Sequence, residues 1–179
     1  RGVFTNEAGL GTSAMAHGAA AVDHPARQGM WGIFEVFLST LLVCTVTALT
    51  ILVSGVWDPA APGALTGAPL TAAAFASVLG PAGEGVVALS LLLFAFSSIL
   101  GWSYYGQQCL EYLCGGGRLL PLYRVVFLLC ALAGAVWEAE AVWLLVDLCN
   151  ALMALPNLLA LLYLAPEALA ILRDRRDFT

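Results

Sequence analysis

Apolar residues fall along this chain in three long stretches. The first runs from Met30 to Trp57 with Glu35 as its only charged residue, the second from about Gly85 to Leu113, and the third from Leu119 to Leu172. About 20 residues of helix span the hydrocarbon core of a bilayer, so the third stretch is too long for one crossing. It divides at the acidic patch Trp137-Glu138-Ala139-Glu140. The pattern predicts membrane-crossing helices over 30–57, 85–113, 119–138 and 141–165, followed by a tail at 166–179. The opening segment, 4–22, differs: it is rich in Gly and Ala, carries Asn6 and Glu7 early, and ends in the polar run Asp23-His24-Pro25-Ala26-Arg27. It reads as an unwound start followed by a small-residue helix packed inside a bundle, since small side chains let helix backbones approach closely. The connection at 58–84 holds four of the eight prolines, and its stretch Leu70 to Leu79 suggests a short surface or re-entrant helix.

Composition leaves one class standing. Hydrophobic residues make up 61% of the 179 positions and charged residues 11%, and the mean hydropathy is +0.89. Soluble domains sit near ~45–50% apolar and ~25% charged. A water-soluble surface could not be built from so few charges, and disorder requires far less apolar content. The expectation is an all-α integral membrane protein. Because the chain opens at Arg1 in what reads as the middle of an element, a fragment of a longer protein is expected.

Charge then orients the spans. All seven basic residues are arginines, and twelve carboxylates bring the net charge to −5, which argues against nucleic-acid binding. Arg27, Arg118, Arg124, Arg173, Arg175 and Arg176 flank alternate connections, whereas 58–84 and 138–140 contain no basic residue but hold Asp58, Glu84, Glu138 and Glu140. The positive-inside rule places the 58–84 loop outside the cell and the C-terminus in the cytoplasm of a cell inner (plasma) membrane protein. Five scattered cysteines without a CxxC pair suggest neither a disulfide framework nor a zinc site. His17 and His24 have no third ligand nearby in sequence, so a metal site is not expected.

Polar groups inside a membrane are costly and mark function or packing. Three constellations qualify. In the first, Gly9 and its neighbouring glycines stand beside Asn6 and Glu7, the pattern of a helix break whose freed backbone amides could face an anionic ligand; a plain loop entering a helix, with Glu7 as a cap, fits equally. In the second, Ser98 and Trp102 share a helix face, with Ser97 adjacent. Serine hydroxyls suit sodium, yet such serines often bond their own helix backbone instead. In the third, Asp147, Asn150, Pro156 and Asn157 lie in the last span, where Pro156 removes a helix hydrogen bond and the pattern suits packing or gating. No nucleophile–base set, HExxH or phosphate-binding glycine loop occurs, so an enzyme is not indicated.

The run RGVFTNEAGLGTSA followed by DHPARQG resembles the hallmark segment of the sodium:alanine symporter family, the amino-acid carrier proteins. FLSTLLVCTVTALTIL, FAFSSILGWSYYGQQ and DLCNALMALPNLLALL resemble its later helices in order. The resemblance implies a sodium- or proton-coupled carrier of alanine, glycine or similar small neutral amino acids, working by alternating access. It implies the second half of a five-plus-five inverted-repeat fold like that of the leucine transporter, from the inner part of the sixth helix (4–22) through the seventh (30–57), eighth (85–113), ninth (119–138) and tenth (141–165). The missing N-terminal repeat of the same protein would be a partner, along with the lipid bilayer. Phe4, Thr5, Asn6, Gly9, Ser98 and Trp102 would line the substrate site, and Ser97 and Ser98 would help hold sodium. Threonine at Ser98 and serine at Thr5 would match the family pattern more closely; both departures keep a hydroxyl. No cofactor and no metal other than sodium is implied. A structural or regulatory membrane subunit is the alternative, and a channel is disfavoured because no carboxylate ring or filter loop is present.

Overall fold

The computed structural model describes residues 7, 9–61 and 63–173, and every element among them is helical. Helix α1 covers Thr12–Gly18. Helix α2 runs from Pro25 to Ser54, α3 over Gly67–Leu79 and α4 over Pro81–Cys114. A short 3₁₀ turn at Gly117–Leu119 leads into α5, Leu120–Val136, and α6 covers Ala139–Arg173. Four helices, Pro25–Ser54, Pro81–Cys114, Gly117–Val136 and Glu140–Arg173, are long and apolar enough to cross a membrane. Together with the composition they make this a multi-pass membrane protein.

Local chemistry explains where the helices start and bend. Pro25 occupies the first helical position of α2, and the Ala26 amide donates to His24 Nδ1 at 3.2 Å, so a side chain serves one of the amides a helix start leaves over. Within α2 the residues Phe37–Val43 form a wider π-helical turn, with the Cys44 amide donating to the Ser39 carbonyl five residues back. Thr47 and Thr50 donate to the Val43 and Val46 carbonyls at 2.9 and 2.8 Å, which removes two hydroxyls from lipid. In α6, Pro156 and Pro166 lie inside the helix and remove the donors that the Leu152 and Leu162 carbonyls would otherwise have.

Several boundaries differ from the sequence pattern. Among the described residues the opening helix is only Thr12–Gly18, because Glu7, Gly9 and Gly11 take left-handed backbone angles. Helix α4 starts at Pro81 with Glu84 in its first turn, where a carboxylate suits the positive helix end. Helix α6 continues past 165 to Arg173. From Ala139 to Pro166 is already about 40 Å of helix, longer than the ~30 Å core, so the final turns extend beyond the hydrocarbon.

The chain forms two compact units, one of 7–35 with 102–173 and one of 36–101. In the second, α3 packs on the Cys44–Ser54 half of α2, and Leu70, Ala74 and Val87 are buried. The α3–α4 corner is tight: a Cβ on Gly83 would stand 2.5 Å from the Phe75 carbonyl oxygen. In the first unit Ala26 and Thr12 are buried. Among the described residues no large side chain is fully buried, and the apolar windows of the four spans are at most 6% buried. These helices present their apolar surface outward, as elements do that are covered by lipid and by further protein.

Candidate functional site

The opening turn is built around one carboxylate. Glu7 takes φ 54°, a left-handed angle that costs a non-glycine residue roughly 1–2 kcal/mol. Its carbonyl accepts from the Leu10 amide at 3.1 Å, closing the turn. Its carboxylate accepts from the Thr12 hydroxyl at 2.7 Å, and Tyr105 of α4 stands beside it. Thr12 is 2% exposed, so this hydrogen bond meets the only polar need of a buried side chain. Gly9 and Gly11 follow at φ 81° and 83°. Three left-handed residues within five positions keep this backbone out of a regular helix and leave its amides without helix partners. Phe4, Thr5 and Asn6, expected at the same break, lie outside the described residues.

The last helix meets this turn. A Cβ on Gly11 would stand 2.7 Å from Asn157 Oδ1, so glycine is needed there both for its angle and for the close approach. Asn157 follows Pro156, where α6 lacks one backbone hydrogen bond. The proline therefore sits at the point where α6 touches the opening segment. Asn150 is half-buried two turns earlier, and Asp147 is exposed.

On α4, the Ser97 hydroxyl donates to the Phe94 carbonyl at 3.0 Å, the backbone bond that competes with ion ligation. Ser98 stands one turn before Trp102 on the same helix and is exposed. Trp102 makes an edge-on contact with Tyr105, with ring centroids 6.0 Å apart. Tyr105 thus links the aromatic face of α4 to the Glu7 carboxylate. Further along, Gln107 Oε1 accepts from Arg124 Nε and Nη2 at 3.0 and 2.8 Å. Tyr123 packs over Gly106, joining α5 to α4.

A second polar cluster was not anticipated from the sequence. His17 of α1 lies across α2, its Nδ1 2.8 Å from Gln28 Nε2 and its Nε2 3.6 Å from Glu35 Oε2. Between those two contacts the ring passes over Gly32, where a Cβ would stand 3.4 Å from Nε2. Gln28, Gly32 and Glu35 fall at i, i+4 and i+7, one face of a helix. That spacing was the available signal, and it was hidden because Glu35 looks like an isolated charge in an apolar run. Among the described residues no three His, Cys, Asp or Glu side chains converge in a way that would hold a metal ion.

Comparison with known proteins accounts for the whole chain. The family model "Sodium:alanine symporter family" matches residues 1–178. The sodium/alanine symporter AgcS of Methanococcus maripaludis is 47% identical over 92% of this chain and 36% of its own length. The probable sodium/glutamine symporter GlnT of Bacillus subtilis is 37% identical over 97% of the chain and 36% of its own length. The sodium/proton-dependent alanine carrier protein of Bacillus sp. PS3 is 33% identical over 99% of the chain and 43% of its own length. No solved structure matches significantly. The chain thus spans well under half the length of the curated relatives it matches. Similarity that runs from the glycine-rich opening turn through the last apolar helix, to transporters rather than enzymes, leads to one conclusion: the chain belongs to the sodium:alanine symporter family.

Proposed function

We propose that this chain is the second half of a secondary carrier that couples sodium entry to uptake of small neutral amino acids such as alanine and glycine. The observation that carries the reading is the family match over residues 1–178, which includes the glycine-rich turn and the serine–tryptophan face of α4. The five-plus-five inverted repeat, alternating access and a cytoplasmic C-terminus belong to this proposal. So does the site: Phe4, Thr5, Asn6, Gly9, Ser98 and Trp102 toward the amino acid, and Ser97 and Ser98 toward sodium.

The geometry supports the reading at two points. Left-handed residues at 7, 9 and 11 hold this segment as a turn rather than a helix, the kind of break whose backbone amides can face a ligand carboxylate. Asn157 against Gly11 and Glu7 against Tyr105 tie that turn to α6 and α4, so a shift of either helix would be felt at the turn. Reconstituting the full-length carrier in proteoliposomes and imposing a sodium gradient should drive accumulation of labelled alanine. Uptake that is indifferent to the sodium gradient, with alanine, glycine and serine all tried, would sink this function.

A further inference from the structure

The His17 cluster is not used by the sodium and amino-acid sites above, yet it puts two ionisable side chains together against a helix long and apolar enough to cross a membrane. Glu35 stands ten residues into α2, about 15 Å along the axis, in a stretch with no other charge. A lone carboxylate at such depth is expensive, and the opening helix brings it an imidazole at 3.6 Å. Gly32 clears the space for that ring, and Gln28 holds its other nitrogen at 2.8 Å.

The contacts define two protonation arrangements. With Gln28 Nε2 donating, His17 Nδ1 carries no proton, and the single ring proton sits on Nε2 toward Glu35. A second proton, taken from water onto Nδ1, requires the Gln28 amide to turn so that its oxygen accepts. The ring is then cationic and the pair with Glu35 is neutral overall, where before it carried one negative charge. The added proton therefore changes by one the net charge held where α1 lies across α2.

The surrounding charges do not substitute for it. Arg27, two turns earlier on α2, is engaged by Asp23 at 3.1 Å. From α4, Tyr105 is the polar side chain near both Glu7 and Glu35, and its phenol carries no charge in the physiological pH range. Histidine is the side chain that ordinarily changes charge in the physiological pH range.

We propose that His17 and Glu35 are a proton-binding pair of the carrier, with the proton accepted at His17 Nδ1 between α1 and α2. The proposal rests on the carrier reading and adds to it the place where a proton enters the transport cycle.

The test uses the full-length carrier in proteoliposomes, with sodium-driven alanine uptake measured across about pH 5 to 8, where histidine titrates. Wild-type uptake should change with pH, by up to about tenfold per unit if one proton is linked to the limiting step. His17→Gln and Glu35→Gln should keep sodium-driven uptake while flattening that profile, and both should lose the response to an imposed pH gradient without sodium. The double variant His17→Gln/Glu35→Gln removes both ionisable groups and leaves no unpaired charge, so it serves if a single variant fails to accumulate. A flat profile in the double variant supports the pair. A wild-type protein without pH response, or variants that keep it, overturns the pair while leaving sodium-driven transport intact. Absence of sodium-driven uptake in the wild-type protein would instead count against the carrier function itself.

Discussion

Gly11 joins two requirements at one residue, a φ of 83° and an approach to Asn157 that leaves no room for a Cβ. Gly11→Ala should therefore lower the melting temperature of the full-length carrier in detergent and reduce uptake. The left-handed angle alone costs roughly 1–2 kcal/mol. Asn157→Ala added to Gly11→Ala should restore part of the loss by removing the collision, whereas the backbone part should remain; no recovery at all would mean that the close approach is not made in the native carrier. The serine pair gives a second residue-scale prediction. Ser97 already spends its hydroxyl on the Phe94 carbonyl at 3.0 Å. Ser98→Ala should then raise the sodium concentration for half-maximal uptake by about tenfold, the equivalent of ~1.4 kcal/mol for one lost oxygen ligand, and Ser97→Ala should do less. Sodium titration of uptake checks the ranking, and equal wild-type values for both variants would move the ion to helices outside this chain. These site details were only partly legible in the sequence. The serine–tryptophan spacing is visible because it repeats at one helical turn, but whether a serine faces an ion or its own backbone depends on a rotamer that no residue pattern encodes. The His17 cluster escaped for a related reason: its partners lie 11 and 18 residues away, and only the packing of α1 across α2 makes them neighbours.

At the scale of elements, the apolar runs made the four spans readable, since a helix is the form in which a single segment pairs its own backbone inside a bilayer. The irregularities were not equally readable. Pro156 announces itself, but the π-helical turn at Phe37–Val43 contains no proline or glycine and arises where the Cys44 amide reaches five residues back to Ser39. The extent of α6 was also hidden, because Pro166 suggests an end and the helix instead continues for seven residues to Arg173. A proline within a transmembrane helix is tolerated when neighbouring groups or water serve the freed carbonyl. Trp102 tests how α4 contributes as an element. It makes an edge contact with Tyr105, one turn on, and the proposed function has it as an apolar wall of the substrate site. Trp102→Ala should weaken alanine uptake and admit larger neutral amino acids, with the preference shifting by about tenfold, since each methylene accommodated is worth ~1–3 kcal/mol. Competition of labelled alanine uptake by valine and leucine measures the shift. Unchanged selectivity would assign Trp102 to the membrane interface instead of the substrate pocket.

On the scale of the whole molecule, the arginines and the helix lengths constrain the same topology by different physics. Helices α2, α4 and α6 cover 30, 34 and 35 residues, about 45–53 Å each at 1.5 Å per residue, so each crosses the core with turns to spare. Arg27 lies in the first turn of α2, Arg118 in the 3₁₀ turn before α5, and Arg173 in the last turn of α6. If each span crosses once, these three positions fall on one side of the membrane, and Asp58 with Glu138 falls on the other. Moving an arginine through the bilayer is resisted on the negative side of the potential, which is what orients alternating charges. Single cysteines placed at Asp58 and at Arg118, in a full-length carrier whose own cysteines are replaced by serine or alanine, should therefore react oppositely with a membrane-impermeant maleimide applied to intact cells. Asp58→Cys should be labelled from outside. Arg118→Cys should be labelled only after the membrane is opened, and a third probe at Arg173 should behave as Arg118 does, since α5 and α6 lie between them and bring the chain back to the same side. Labelling of Arg118 and Asp58 from one side would mean that α4 does not cross, and labelling of Arg118 and Arg173 from opposite sides would mean that α5 or α6 does not.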